Sequence, residues 1–315
     1  MTAFLIRRLL TFFATLVAAS LVVFLVLEVL PGDPALVMLG PDAPADALHA
    51  LRDRLGLDRP PVERYLDWVG SLVTFKLGTS YTYGSAVAEL IGERLVVTLP
   101  LALIAMALTT AIALSLGLYA AARHNTIGDY GIMVATQIGI AVPNFWFAIL
   151  MILFFAVGLG WLPAGGFPGW SAGLLPALKS LVLPAVALAV VQAAILARVT
   201  RSAVLEILRE DFVRTARAKG LSKSQTLRRH VLRNAFIPVV TIMGLQFANL
   251  LAGTIVIENV FTLPGLGRLI FQSINQRDLI VVKDVVVLLA TMVVTINFVV
   301  DLLYAAIDPR LRGRS

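Results

Sequence analysis

Residues 198–238 read RVTRSAVLEILREDFVRTARAKGLSKSQTLRRHVLRNAFIP, and the placement of this stretch organises the rest of the chain. It carries ten of the chain's Lys and Arg residues and lies between two long apolar runs. Asp211 is placed to cap a short helix from Phe212 to Lys219, and Gly220 supplies a C-terminal stop. Ser222 then starts a second helix, with Gln225 three residues on as a capping-box partner. A short helix between two turns, held just beside a membrane, suits insertion into the surface of another protein. The same residues also fit a solvated basic loop that serves only as a topology anchor.

Outward from this stretch the chain is apolar. Of its 315 residues 59% are hydrophobic and 14% charged, with a mean hydropathy of +0.89. Soluble domains carry roughly a quarter charged residues, so this balance marks an integral membrane protein. There is no cysteine, which excludes a disulfide framework, a thiol nucleophile and a cysteine metal site.

About 20 apolar residues cross a hydrocarbon core. On that length the sequence predicts six spans, near 9–30, 95–120, 130–157, 180–199, 235–256 and 285–306, and an all-α polytopic fold. The first span follows Arg7 and Arg8, is too long for a signal peptide's apolar core, and has no small-x-small cleavage site before Pro31. It reads as a retained anchor. With the N-terminus inside, sixteen of the 26 Lys and Arg residues fall on the cytoplasmic side, among them Arg123, Arg310, Arg312 and Arg314. Both termini are then cytoplasmic. The net charge of +7 is accounted for by orientation, with no need of nucleic acid.

The predicted organisation is a first span over 1–30, an external segment over 31–93, a five-helix core over 94–306 containing the loop 200–235, and a tail over 307–315. In the external segment, Leu48, Leu51 and Leu55 share a helical face closed by Gly56. Pro61 opens a second helix with Val62, Tyr65, Leu66, Val69 and Leu72 as its stripe, and a third short helix is predicted over 85–93. Residues 158–177 and 262–283 are predicted as external loops.

Glu28, Glu258 and Asp301 lie near span ends and are expected at the interface. The deeper polar groups are the amides Gln137, Asn144, Gln192, Gln246, Asn249 and Asn297. They are candidates for lining a wettable pathway, and equally for holding helices together by hydrogen bonds. Pro143 and Pro184 break the backbone ladder within spans and suit kinked helices beside a cavity.

Catalytic patterns are missing. No G-x-x-x-x-G-K-[ST] phosphate loop, no H-E-x-x-H and no G-x-S-x-G occurs, and the histidines 49, 124 and 230 fall on different sides. The chain is therefore read as a mover of solute that is not itself an enzyme. Its energy comes from an ion gradient or from a partner.

The opening stretch resembles the cytoplasmic EAA loop of ATP-binding-cassette importer permeases, in the variant of dipeptide, oligopeptide and nickel systems. Arg214-Thr215-Ala216 stand at the triplet and Gly220 at the glycine, while His230-Val231-Leu232-Arg233 replaces the usual ending. The subfamily pattern is met by 214–221, 230–235 and 238–241. Further similarity lies in Pro31-Gly32-Asp33-Pro34, in 55–60 and 77–80, in Glu93-Arg94 with Thr98, and in Gly244-Leu245-Gln246. Pro264-Gly265-Leu266-Gly267-Arg268, Arg277-Asp278 and the tail from Asp301 to Arg310 complete a series that runs in order through essentially the whole chain.

The resemblance implies a first-permease-type subunit of a bacterial inner membrane importer for di- or oligopeptides. Its partners would be a second homologous permease, two cytoplasmic ATPases that hold ATP and magnesium, an extracytoplasmic binding protein and membrane lipid. The chain itself would hold no cofactor or metal. Asp211, Phe212, Val213, Arg214, Thr215, Ala216, Lys219, Gly220 and Leu221 would form the coupling surface, with Phe212, Val213 and Ala216 as one apolar edge in the ATPase groove. Nickel and glutathione import are alternatives within the family. A self-driven secondary transporter is the alternative outside it.

Overall fold

Long apolar runs without water to satisfy their backbones must close their hydrogen bonds internally, and this chain does so as helices. The structure, a computed structural model, describes residues 2–29, 34–40 and 42–307. The Pro31-Gly32-Asp33 motif and the tail residues 308–315, with Arg310, Arg312 and Arg314, lie outside the described residues. In chain order the helices are α1 (Thr2–Val29), α2 (Pro34–Leu39), α3 (Ala45–Leu55), α4 (Pro61–Val73), α5 (Val87–Ala122), α6 (Ile127–Ala141) and α7 (Asn144–Met151). There follow α8 (Leu174–Ile207), α9 (Asp211–Ala218), α10 (Lys223–Thr226), α11 (Leu232–Val260), α12 (Leu266–Asn275) and α13 (Leu279–Ile307).

Five helical stretches among the described residues are long and apolar enough to cross a membrane. A sixth crossing is made if α6 and α7, bent by 100° at their junction, count as one broken span. The break falls at Val142-Pro143, where Pro143 offers no N–H and holds Val142 extended. A π-helical turn over Ile152–Gly158 ends this span. Pro184 behaves differently from expectation, because α8 runs through it unbroken from Leu174 to Ile207.

α8 is the central helix and packs on α5, α6, α7 and α11. Small residues permit the approach: Ala177, Ala185, Ala187, Ala189, Ala193 and Ala197 are all buried. Gly117 on α5 faces α8 so closely that an added Cβ would stand 2.7 Å from the Ala197 carbonyl oxygen. α1 lies to one side against α13, joined by a Phe12–Phe298 ring contact and an Arg8–Asp301 ion pair at 2.8 Å.

The segment predicted to be external is docked on the bundle. α3 ends at Gly56 with φ +64, and Pro61 opens α4, as the sequence predicts. Trp68 of α4 is buried, donates from Nε1 to Asp284 of α13 at 2.7 Å, and carries the Lys283 ammonium over its ring. Tyr65 meets Ser20 at 3.0 Å, and Arg64 pairs with Glu28. Ser80 bonds Asp278, beside which burial pushes the Tyr81 phenol up to about 12. The separate helix predicted over 85–93 does not exist, since those turns are the start of α5. The loop predicted over 262–283 instead contains α12 and the first turns of α13.

Candidate functional site

α9 is built from its own sequence. Glu210 occupies the cap position and Asp211 is the first helical residue; neither makes a side-chain cap bond, so the expected Asp211 cap is corrected to a charge in the first turn. At the other end Gly220 has φ +91, Gly220 N donates to Arg217 O at 2.9 Å, and Leu221 N donates to Ala216 O at 3.3 Å. This pair of bonds is a Schellman stop, which needs the left-handed residue that glycine supplies. Nothing lies within 4 Å of a Cβ built on Gly220, so its role is conformational. The Ser222–Gln225 capping box forms reciprocally, at 3.0 and 3.3 Å. It starts α10, which continues into α11 through a π-helical turn over Leu227–Val231.

The apolar residues of α9 divide between two faces. Val213 and Ala216 are both buried, and Val213 packs in the protein's own core in a cluster with Val204, Val231 and Ala235. Phe212, one residue and about 100° away from Val213, is 42% exposed. The expectation that all three form one outward edge is therefore corrected. The bundle takes the Val213–Ala216 stripe, and what α9 presents outward is Phe212 with Arg214, Thr215, Arg217 and Lys219. Arg214 and Asp211 stand 3.5 Å apart but are too exposed to hold each other firmly.

A charged cluster that the sequence reading did not single out ties the α5–α6 turn to α8. Arg201 holds Asp129 with two parallel bonds, Nε to Oδ1 at 2.6 Å and Nη2 to Oδ2 at 2.7 Å. Asn125 N and His124 complete the shell at 3.0 and 3.3 Å. The Asp129 side chain is 1% exposed, so this fork is what makes its charge tolerable there.

No hydrogen bond joins any two of the six amides among the described residues. Gln137 accepts from Arg198 at 3.1 Å, and Asn144 begins α7 at the bend. Gln192 and Gln246 are buried within the bundle with side-chain atoms lacking a partner. Asn297 lines a small cavity beside Arg8 and Asp301. Asn249 lies on an exposed stripe of α11 with Leu245, Ala252 and Val256.

At the opposite end of the bundle from α9, Glu258 departs from its expected interfacial place. It is fully buried and its carboxylate caps α12. Oε1 accepts from Thr98 Oγ1 at 2.6 Å, and Oε2 accepts from Gly267 N at 2.7 Å and Arg268 N at 3.3 Å. Thr98 Oγ1 in turn accepts from Leu266 N at 2.9 Å. A Cβ on Gly265 would fall on this carboxylate, and one on Gly267 would strike the backbone of Ile255. The sequence held a signal here in Pro264-Gly265-Leu266-Gly267-Arg268, although it did not reveal that a distant acid caps the helix these residues begin.

A bundle of this kind, with one short, outward-facing helix at one end, defines a polytopic membrane protein. Two family profiles match the chain: the binding-protein-dependent transport system inner membrane component over residues 113–313, and that component's N-terminal region over residues 1–102. The chain belongs to this family, as a multi-pass inner membrane permease subunit of an ATP-binding-cassette importer. It is 39% identical over 337 residues to the di/tripeptide transport system permease protein DppB of Pseudomonas aeruginosa, with 99% of each chain covered. It is 40% identical over 312 residues to the glutathione transport system permease protein GsiC of Escherichia coli, again with 99% of each covered. Its fold is similar to a chain of the inward-facing MetNI methionine ABC transporter, with a TM-score of 0.59 and 22% identity over 70% of this chain and 96% of that one.

Proposed function

We propose that this chain forms half of a heterodimeric pathway for di- or oligopeptides, with a second homologous permease as the other half. Two ATPases bind its cytoplasmic face and hold the ATP and magnesium, and an extracytoplasmic binding protein delivers solute. The observation that carries the reading is α9, a short helix seated on the bundle by Val213 and Ala216 and stopped by Gly220, with Phe212 and three cations facing outward. Phe212 enters an apolar groove on the ATPase, while Arg214, Arg217 and Lys219 meet acidic groups around it. ATP-driven closure of the ATPases moves the two docked helices together and rocks the spans from inward-open to outward-open. Docking free energy that differs between the two states is what couples them.

Phe212→Asp in the complete transporter is expected to lower uptake at least tenfold and to reduce co-purification of the ATPases, at an unchanged level of permease in the membrane. Gly220→Val should do the same, because a β-branched residue strains at that φ, and Gly220→Asn should be milder. Normal uptake by both Phe212→Asp and Gly220→Val would remove the proposal. Glutathione is the second reading, favoured by the Escherichia coli relative at 40% identity. Uptake of labelled dialanine, trialanine and glutathione side by side separates the two.

A further inference from the structure

The residues Arg94 and Arg268 belong to motifs that the coupling role of α9 does not use. The structure brings them to one cavity of about 440 Å³ between the first turns of α5 and of α12, with Tyr83, Gln272 and Gln276 on its walls. Arg94 and Thr98 are four residues apart and share a face of α5. Arg268 follows Gly267 on α12. The Glu258 clamp that fastens α12 to Thr98 therefore also holds the two helix segments that carry these arginines side by side.

No carboxylate lines this cavity. Glu93 is exposed and, adjacent to Arg94 on the helix, points about 100° away. Glu258 lies behind the wall, fully buried and engaged by the Thr98 hydroxyl and the Gly267 and Arg268 N–H groups. Among the described residues neither arginine has an ion-pair partner. Arg94 Nε is shut off from solvent with no acceptor, and Arg268 gives one N–H to the Thr262 carbonyl. Two planar cations facing a concave space without an acid are suited to a visiting carboxylate, which each can grip with paired N–H groups.

We infer that this cavity is a carboxylate-binding subsite at the α12 end of the pathway, taking the terminal carboxylate of a small solute such as a free peptide. It rests on the importer reading and deepens it. The recess of Arg94 favours the narrow end of a small molecule over the broad surface of a delivering protein.

The test uses the full chain in lipid nanodiscs and phenylglyoxal, which modifies reachable guanidinium groups, with peptide mapping of Arg94 and Arg268. Trialanine should slow their modification at least threefold, and trialanine amide should not. Equal protection by both, or by neither, overturns the inference. Protection given only by the binding protein also overturns it, since the acid would then be a protein side chain. In the complete transporter, Arg94→Gln and Arg268→Gln should each lower the uptake ratio of trialanine to its amide about tenfold, and Arg94→Lys should lower it less. Equal loss of both substrates would make the arginines structural and sink the proposal. If no peptide is taken up at all while trialanine still protects both arginines, the peptide reading fails and the subsite stands.

Discussion

Glu258 and Gly220 show how differently two single residues reveal themselves. Gly220 is legible because its cause is local: a helix-length run before it and a capping box after it leave one position that must turn left-handed. Glu258 is not, because its partners are Thr98, 160 positions earlier, and backbone N–H groups of a helix hidden in a Gly- and Pro-containing loop. An acid near the end of an apolar run reads as interfacial when those donors are unknown. Glu258→Gln removes the charge and presents Thr98 with an amide, while the hydroxyl already accepts from Leu266 N. A buried, charge-assisted set of this kind contributes about 1–3 kcal/mol. The variant should lower the melting temperature of the purified protein and speed proteolysis between α11 and α13, and Glu258→Ala should do so more.

At the scale of elements, the glycine stop of α3 and the proline start of α4 follow from the sequence. Periodicity was a weaker guide: Val62 and Leu66 of the expected α4 stripe are exposed, and Trp68, outside that stripe, is the buried residue. It misled where an element meets two: on α9 one face belongs to the bundle, and only Phe212 and the cations remain for a partner. The joint between α6 and α7 shows another limit, since Pro143 announces a disturbance but the 100° turn depends on what packs around it. The Arg201–Asp129 fork joins the α5–α6 turn to α8 and gives a nearly inaccessible acid its shortest bonds, with only Asn125 N and His124 beside it. Arg201→Met should therefore destabilise by about 3–5 kcal/mol, the cost of an uncompensated buried charge. Asp129→Asn with Arg201→Met should recover much of that loss. Thermal unfolding of the purified variants in one detergent checks both, and a double variant no better than Arg201→Met alone would mean that the fork is not what holds the turn.

At the scale of the whole molecule, run length alone predicted six crossings, and the structure matches that number when the bent pair counts as one span. What the sequence could not give is the order of burial. That α8 lies at the centre and α1 at the margin follows from alanine and glycine contacts whose partners are far apart in the chain. The exposed apolar surface along α6 and α7, including Val134, Ile138, Phe145 and Trp146, is consistent with a protein finished only by lipid and companions. Reconstituted alone into sealed vesicles, the chain should accumulate no trialanine under a proton or sodium gradient. Accumulation there would make it a self-driven transporter.

α5 runs 36 residues without interruption, straight through Pro100. At 1.5 Å per residue that is about 54 Å, well beyond a hydrocarbon layer of about 30 Å. A third of the way along, Thr98 is gripped beside α12, and the far end leads into the turn fastened by Arg201. A displacement at either point thus needs no chain of side-chain rearrangements to reach the far side. It arrives as the tilt of a single lever, and softening that lever midway should uncouple ATP consumption from uptake while leaving both ends intact.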